Sequence, residues 1–132
     1  MPSSCTALLV MAQGKRSLLQ NHLNCLEANV LAASDCSEAA DLLRRRPDIR
    51  LVLTDLTLPD GSWYDVLNQV NDIQAGAEVV VCARLADERL WTQVLEAGVF
   101  DLLVEPYQGP EVARILQAAV ARRSIHRLAA AS

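Results

Sequence analysis

Eleven residues decide how this chain folds: Leu51–Gly61, which read LVLTDLTLPDG. Their first four residues are apolar or β-branched, which is typical of a strand buried on both faces, and Asp55 follows directly. Pro59 restricts φ and Gly61 permits a positive φ, so the end of the segment predicts a turn into a helix that starts near Ser62. Asp55 is therefore expected at the carboxyl end of a buried strand, where ligands collect in open α/β sheets.

Apolar runs alternate with helical patterns five times along the chain. The helices are marked by amphipathic faces, by a capping residue at Ser37, by a terminating glycine at Gly98 and by a first-turn proline at Pro110. This alternation predicts a parallel sheet with helices on both faces. The predicted strands are Thr6–Ala12, Val30–Ala33, Leu51–Thr54, Glu78–Ala83 and Phe100–Val104.

The sequence also predicts the bounds of one helix and the buried face of another. The fourth is expected over Asp87–Ala97, and the first is expected to bury one face made of Leu18, Leu19, His22, Leu23 and Leu26. Residues 1–124 are predicted to form one domain. Residues 125–132 are predicted to continue the last helix or to begin a linker.

Composition narrows the class of protein. The chain has 132 residues, 52% of them hydrophobic, and a net charge of −4 without a basic cluster of the kind that binds nucleic acid or anionic lipid. Its four cysteines form neither a C-x-x-C pair nor a zinc-ligand pattern. The apolar run near the amino terminus is too short to span a bilayer. We therefore expect a cytoplasmic protein that binds neither nucleic acid nor membrane.

Two stretches resemble response-regulator receiver domains of bacterial two-component signalling. Asp55-Leu-Thr-Leu-Pro59-Asp-Gly61 is similar to the family's phosphoacceptor segment, and Leu95–Pro106 is similar to the segment from its fourth helix through its fifth strand. The resemblance implies a three-layer, doubly wound (βα)5 sandwich of the flavodoxin-like class, with strand order 2-1-3-4-5. It also implies that Asp55 is the candidate phosphoacceptor and that Glu105–Pro106 is a cis peptide.

The magnesium ligands that the family carries after its first strand have no counterpart in this sequence. Met11 and Ala12 occupy the place of the acidic pair, and no Asp or Glu occurs before residue 27. Because Mg²⁺ favours carboxylate oxygen, only weak binding at Asp55 and the Thr57 carbonyl is expected, and no cofactor is predicted.

Three further positions depart from the family pattern. Glu105 replaces the lysine before Pro106, and two like charges about 5 Å apart repel by about 3 kcal/mol at an effective dielectric near 20. Cys82 replaces the hydroxyl residue that ends strand four, and Leu102 replaces the aromatic switch residue of strand five. The chain thus resembles a degenerate receiver, or pseudo-receiver.

Two uses of Asp55 remain open at this point. Its carboxylate caps nearby backbone N–H groups, or it is a functional acceptor whose lost positive charge is supplied by Lys15, Arg16 or Arg84. We favour a non-enzymatic signalling domain with phosphorylation at Asp55 impaired or absent, which binds a protein partner or a second copy through helix four, strand five and helix five. A histidine kinase and a fused output domain are further candidate partners. The alternative is a small-molecule or nucleotide-binding doubly wound domain.

Overall fold

The computed structural model describes the backbone of residues 5–131 and the side chains of residues 5–121. Five parallel strands form one sheet in the order β2-β1-β3-β4-β5, which confirms the predicted topology. The strands are β1 (Thr6–Val10), β2 (Asn29–Ala33), β3 (Ile49–Asp55), β4 (Glu78–Ala83) and β5 (Asp101–Val104).

Five helices cover the two faces of the sheet and give the predicted three layers. They are α1 (Gln13–Cys25), α2 (Cys36–Arg45), α3 (Trp63–Ile73), α4 (Glu88–Glu96) and α5 (Gly109–Ala131). One core cluster joins the sheet to α2, α3 and α4, and the other joins it to α1 and α5. Successive strand residues alternate between them, so Val52 lies in the first and Leu51 and Leu53 lie in the second.

The turn after β3 forms as the sequence predicts. Thr57–Leu58 and Gly61–Ser62 pair as a short antiparallel hairpin, and Ser62 is the N-cap of α3 with a capping box to Asp65. The turn does not use the positive φ that glycine permits at Gly61. The described glycine with a positive φ is Gly98, at 99°, after the end of α4.

Three local predictions were wrong. β1 ends at Val10, although the Met11 backbone N–H still donates to the Ala33 carbonyl oxygen at 3.0 Å and so extends the β1–β2 pairing by one residue. The N-cap of α2 is Asp35, whose carboxylate accepts from the Glu38 N–H at 2.8 Å, and Ser37 lies inside the helix. On α1 only Leu19 and Leu23 of the predicted face are buried, and Leu18 is exposed.

The backbone of the last helix runs to Ala131, and its side chains are described up to residue 121. Among those described side chains, the last buried one is that of Ala119. The division at residue 124 stays a prediction. Within residues 5–131, no helix combines the length and the apolar character that crossing a membrane requires.

Candidate functional site

A cleft of about 800 Å³ opens beyond the carboxyl ends of β3, β4 and β5. Parallel strands end at the same edge of a sheet, so residues from separate parts of the chain meet there. The lining brings together two acids, two bases, one hydroxyl residue and four apolar side chains: Lys15, Asp55, Leu56, Thr57, Ala83, Arg84, Leu85, Glu105 and Pro106.

The carboxylate of Asp55, the last residue of β3, is held on both oxygens. Its Oδ2 accepts from Lys15 Nζ at 2.7 Å, and its Oδ1 accepts from the Leu56 backbone N–H at 2.8 Å. The Asp55 side chain is only 16% exposed, whereas that of Lys15 is 54% exposed. The carboxylate therefore caps a backbone N–H group and also pairs with a first-loop cation. Its use as a phosphoacceptor stays a prediction.

Of the three cations considered for this role, one reaches Asp55. Lys15 lies in the first turn of α1, which begins at the same sheet edge. Arg16 instead donates to the Met11 carbonyl oxygen at 3.0 Å and to Ser34 Oγ at 2.6 Å, which ties the loop before α1 to the loop after β2. Arg84 lines the cleft, and its guanidinium forms no ion pair within the described part of the chain.

Glu105 comes directly after β5 and faces the same cleft. Its backbone N–H donates to the Ala83 carbonyl oxygen at 3.0 Å, which extends the β4–β5 pairing by one residue. The Glu105–Pro106 peptide is cis, as predicted. Among residues 5–121 no side chain forms an ion pair with Glu105, so this carboxylate lies unpaired at the position where the family resemblance leads one to expect an ammonium.

Below the cleft lies a small cavity that Cys82 and Tyr107 line together with charged residues of the cleft. Cys82 is fully enclosed, and burial raises the pKa of its thiol far above the ordinary value, with the negative charges of Asp55 and Glu105 adding to the effect. Burial likewise raises the pKa of the Tyr107 phenol. Both groups therefore remain protonated and uncharged at neutral pH, and Cys82 is a poor nucleophile.

The residues present do not fit a magnesium ion of the kind that the family resemblance implies. Met11 is buried in the core with Cys82, and the exposed Ala12 carries no donor. Near Asp55, Thr57 offers a backbone carbonyl, and the Asp55 oxygens are already engaged by Lys15 and Leu56. Within residues 5–121 no three His, Cys, Asp or Glu side chains are grouped so as to hold a metal.

The remaining predicted positions are structural. Leu102 is buried in the core on the α2–α4 side of the sheet. Pro59 lies exposed at the tip of the hairpin. Gly61 is a point of close approach, because a Cβ there would lie 2.6 Å from Asp65 Oδ2 and 3.0 Å from Cys36 Sγ.

Two residues of this region were not identified from the sequence. Asp60 accepts from the backbone N–H groups of Cys36 at 2.8 Å and Ser37 at 3.1 Å, so it joins the loop after β3 to the start of α2. Those hydrogen bonds, the one from Cys36 first, hold the pKa of Asp60 below its ordinary value. Tyr107 lines the small cavity below the cleft together with Met11, Asp55 and Cys82. Neither residue gave a signal, because each meets residues from segments that are distant in the sequence.

Comparison with known proteins agrees with this geometry. A family model described as the response regulator receiver domain matches residues 12–117. The chain is 32% identical over 90 residues to protein CcdB of Bacillus subtilis, which covers 65% of this chain and 73% of that protein. It is 33% identical over 91 residues to the response regulator protein PilR of Pseudomonas aeruginosa, which covers 69% of this chain but only 20% of PilR.

Solved structures show the same fold. The signal receiver domain of an HD domain-containing protein from Pseudomonas fluorescens matches with a TM-score of 0.84 and 21% identity, over 96% of this chain and 94% of that one. The receiver domain of sensor histidine kinase PA1611 from Pseudomonas aeruginosa, solved with magnesium in its active site cleft, matches with a TM-score of 0.78 and 21% identity, over 90% of this chain and 99% of that one.

The fold and the cleft define a class of protein, the doubly wound domains whose third strand ends in an acidic residue. The chain belongs to the response regulator receiver domain family of two-component signalling.

Proposed function

We propose that this receiver domain signals through protein contacts, with phosphorylation at Asp55 impaired or absent, and that it has no enzymatic role. The observation that carries the proposal is the arrangement around Asp55. Its Oδ2 is occupied by Lys15 at 2.7 Å, and the unpaired Glu105 carboxylate shares its cleft. An incoming phosphoryl group meets a negative charge at Glu105 and finds Lys15 already engaged.

Charge neutralisation decides whether a phosphoryl group is stable at such a site. Phosphoryl transfer depends on positive groups that offset charge on three oxygens. Here Lys15 is the cation in contact with Asp55, and the acids that would hold a metal are replaced by Met11 and Ala12. We therefore expect Mg²⁺ to bind weakly, with a Kd above about 1 mM, which is a binding free energy of about 4 kcal/mol or less.

The parts that would report phosphorylation are also replaced. Cys82 is a weak donor enclosed in the core, and Leu102 has no polar tip and is buried. A ligand shifts a conformational equilibrium only by binding its two states differently, and these side chains offer a phosphoryl group no such difference. The domain is therefore expected to hold one conformation.

The partner surface that we propose is formed by α4, β5 and α5. Trp91 and Leu95 lie one turn apart on α4 and are 37% and 47% exposed, and exposed aromatic residues are enriched at protein interfaces. The receiver domain of NtrC4, solved as a beryllofluoride-activated dimer, matches this chain with a TM-score of 0.80 at 15% identity, over 89% of this chain and 98% of that one. A second copy is thus the first partner to test, ahead of a histidine kinase or an output domain. A cytoplasmic location remains part of this proposal.

The test is incubation with acetyl phosphate and Mg²⁺, followed by intact-mass measurement. The natural chain is expected to show no stoichiometric phosphoryl adduct. The variant that combines Ala12→Asp with Glu105→Lys restores an acid and the missing cation, and it is expected to be labelled more. A stoichiometric adduct on the natural chain that Asp55→Asn abolishes would overturn the proposal.

A further inference from the structure

Two charges of opposite sign line the cleft without a partner. Arg84 follows β4 and Glu105 follows β5, and within residues 5–121 neither forms an ion pair, with each other or with any other side chain. Lys15 and Asp55 satisfy one another at 2.7 Å. The cleft as a whole is therefore neutral, but it offers one free cation and one free anion at separate points.

Apart from Thr57, the rest of the lining is apolar. Leu85 is 85% exposed at the mouth of the cleft, and Leu56 and Pro106 lie beside it. The volume of about 800 Å³ is within the range of small-ligand sites, which combine apolar walls with a few polar groups that fix orientation.

We propose that this cleft binds a small zwitterion, an α-amino acid or short peptide with an apolar side chain. Its carboxylate pairs with Arg84, its ammonium pairs with Glu105, and its side chain covers Leu85. This inference rests on the proposed function in one respect, because it requires that the cleft is not occupied by a phosphoryl group.

The charge pattern selects against simpler ligands. A phosphate anion would be attracted by Arg84 but repelled by Glu105. A simple cation would be attracted by Glu105 but repelled by Arg84. A ligand that carries both charges satisfies both residues and adds no net charge to the cleft. Arginine pairs with planar carboxylates in a bidentate geometry, which favours a carboxylate over a point charge at that end.

The experiment is titration calorimetry of the natural chain with L-leucine and two half-ligands. Isopentylamine lacks the carboxylate and 4-methylpentanoate lacks the ammonium. Each half-ligand is expected to bind at least about tenfold more weakly than L-leucine, since a tenfold change corresponds to about 1.4 kcal/mol and hydrogen bonds to charged groups contribute about that much. A titration with leucyl-leucine distinguishes a free amino acid from a peptide source.

Variants of the two charged residues identify which residue binds the carboxylate of the ligand and which binds its ammonium. Arg84→Gln is expected to weaken the binding of L-leucine and of 4-methylpentanoate, and to leave that of isopentylamine unchanged. Glu105→Gln is expected to weaken the binding of L-leucine and of isopentylamine, and to leave that of 4-methylpentanoate unchanged. Arg89→Gln and Glu96→Gln on α4 are the matched controls and should leave binding unchanged. No heat of binding from L-leucine or leucyl-leucine at about 10 mM, where a ligand with a Kd of 1 mM would nearly saturate, overturns the inference. Equal losses in the control variants also overturn it.

The two proposals fail separately. Absent leucine binding together with an absent phosphoryl adduct removes this inference and leaves the proposed function standing. A phosphoryl adduct on Asp55 removes the proposed function whatever the calorimetry shows.

Discussion

At the scale of single residues, the cation at Asp55 comes from α1 and not from the end of β5. The resemblance leads one to expect a lysine after β5, and this chain has Glu105 there. Lys15 reaches Asp55 from the first turn of α1, because α1 begins at the same edge of the sheet where β3 ends. The pair is partly solvated, so its contribution to stability is small, of order 1 kcal/mol or less. Its importance is that it occupies the carboxylate.

Glycine at position 61 is required by close approach. In Gly61→Ala the new Cβ would lie 2.6 Å from Asp65 Oδ2 and 3.0 Å from Cys36 Sγ, so the capping box of α3 or the start of α2 must move. We expect a loss of about 1–3 kcal/mol in the free energy of unfolding, measured by urea denaturation.

Gly14→Ala is the matched control for this substitution. Gly14 lies in α1, and nothing is within 4 Å of its added Cβ, so alanine should stabilise the helix by about 0.5–1 kcal/mol. Equal effects of the two substitutions would show that close packing at Gly61 is not the reason for glycine there.

At the scale of elements, the segment after β3 is anchored to two helices. Asp55 contacts α1 through Lys15, and Asp60 contacts the first turn of α2 through the N–H groups of Cys36 and Ser37. A carboxylate is favoured there because the N-terminus of a helix carries partial positive charge and unbonded N–H groups. The end of β3 and the hairpin that follows it therefore join helices on opposite faces of the sheet.

Asp60 should make stability depend on pH in the acid range. The pKa of Asp60 is lower in the folded chain than in the unfolded chain, where it is about 3.9. At a pH between these two pKa values, the unfolded chain binds a proton that the folded chain does not. The stabilisation is present above the unfolded pKa and is lost as the pH falls through the lowered folded pKa. At pH 7 the Asp60→Asn variant should have a lower free energy of unfolding than the natural chain. Between about pH 4 and pH 2 the variant should lose less of its free energy of unfolding than the natural chain loses.

Urea midpoints across this pH range give the measurement. Asp72→Asn on α3 is the control, since the Asp72 side chain is exposed and forms no hydrogen bond or ion pair within the described residues. An acid profile for Asp60→Asn that superimposes on that of the natural chain would count against this role of the α2 N-terminus.

At the scale of the whole molecule, the two faces and the strand-end edge have different roles. The cores on either side of the sheet are mainly aliphatic, with Trp63 the buried aromatic residue of the α2–α4 side. The exposed large apolar side chains on α4 are Trp91 and Leu95, and on α1 the corresponding residue is Leu18. The proposed function assigns partner binding to the α4 side, and the zwitterion inference assigns the edge to a small ligand.

Trp91 is expected to contribute more to partner binding than Asp55. In sedimentation velocity, Trp91→Ala should weaken self-association by at least about tenfold, because buried aromatic anchors dominate interface energies. Asp55→Asn should change it by less than about threefold, a free energy below 1 kcal/mol. Leu18→Ala on α1 is the control for loss of an exposed apolar residue. A monomer at all concentrations, or an equal effect of Asp55→Asn, would contradict the prediction.

The alternation of apolar runs and helical faces was sufficient to predict the doubly wound sheet, because burial on both sides leaves parallel strands few alternatives. The bounds of β4, the turn at Pro59 and the position of Asp55 at the end of β3 follow from local residue chemistry. These features depend on neighbours within a few positions, which the sequence displays directly.

Tertiary structure alone decided which side chains meet. Lys15 and Arg16 are adjacent cations, yet one contacts Asp55 and the other contacts Ser34, since helical geometry turns them in different directions. Asp60 and Cys36 are far apart in the chain. Only the packing of α2 against α3 and the hairpin brings the Cys36 backbone N–H to a hydrogen bond with Asp60 Oδ1, at an N···O distance of 2.8 Å. Contacts between distant segments depend on how the layers pack, and for that reason no local pattern records them.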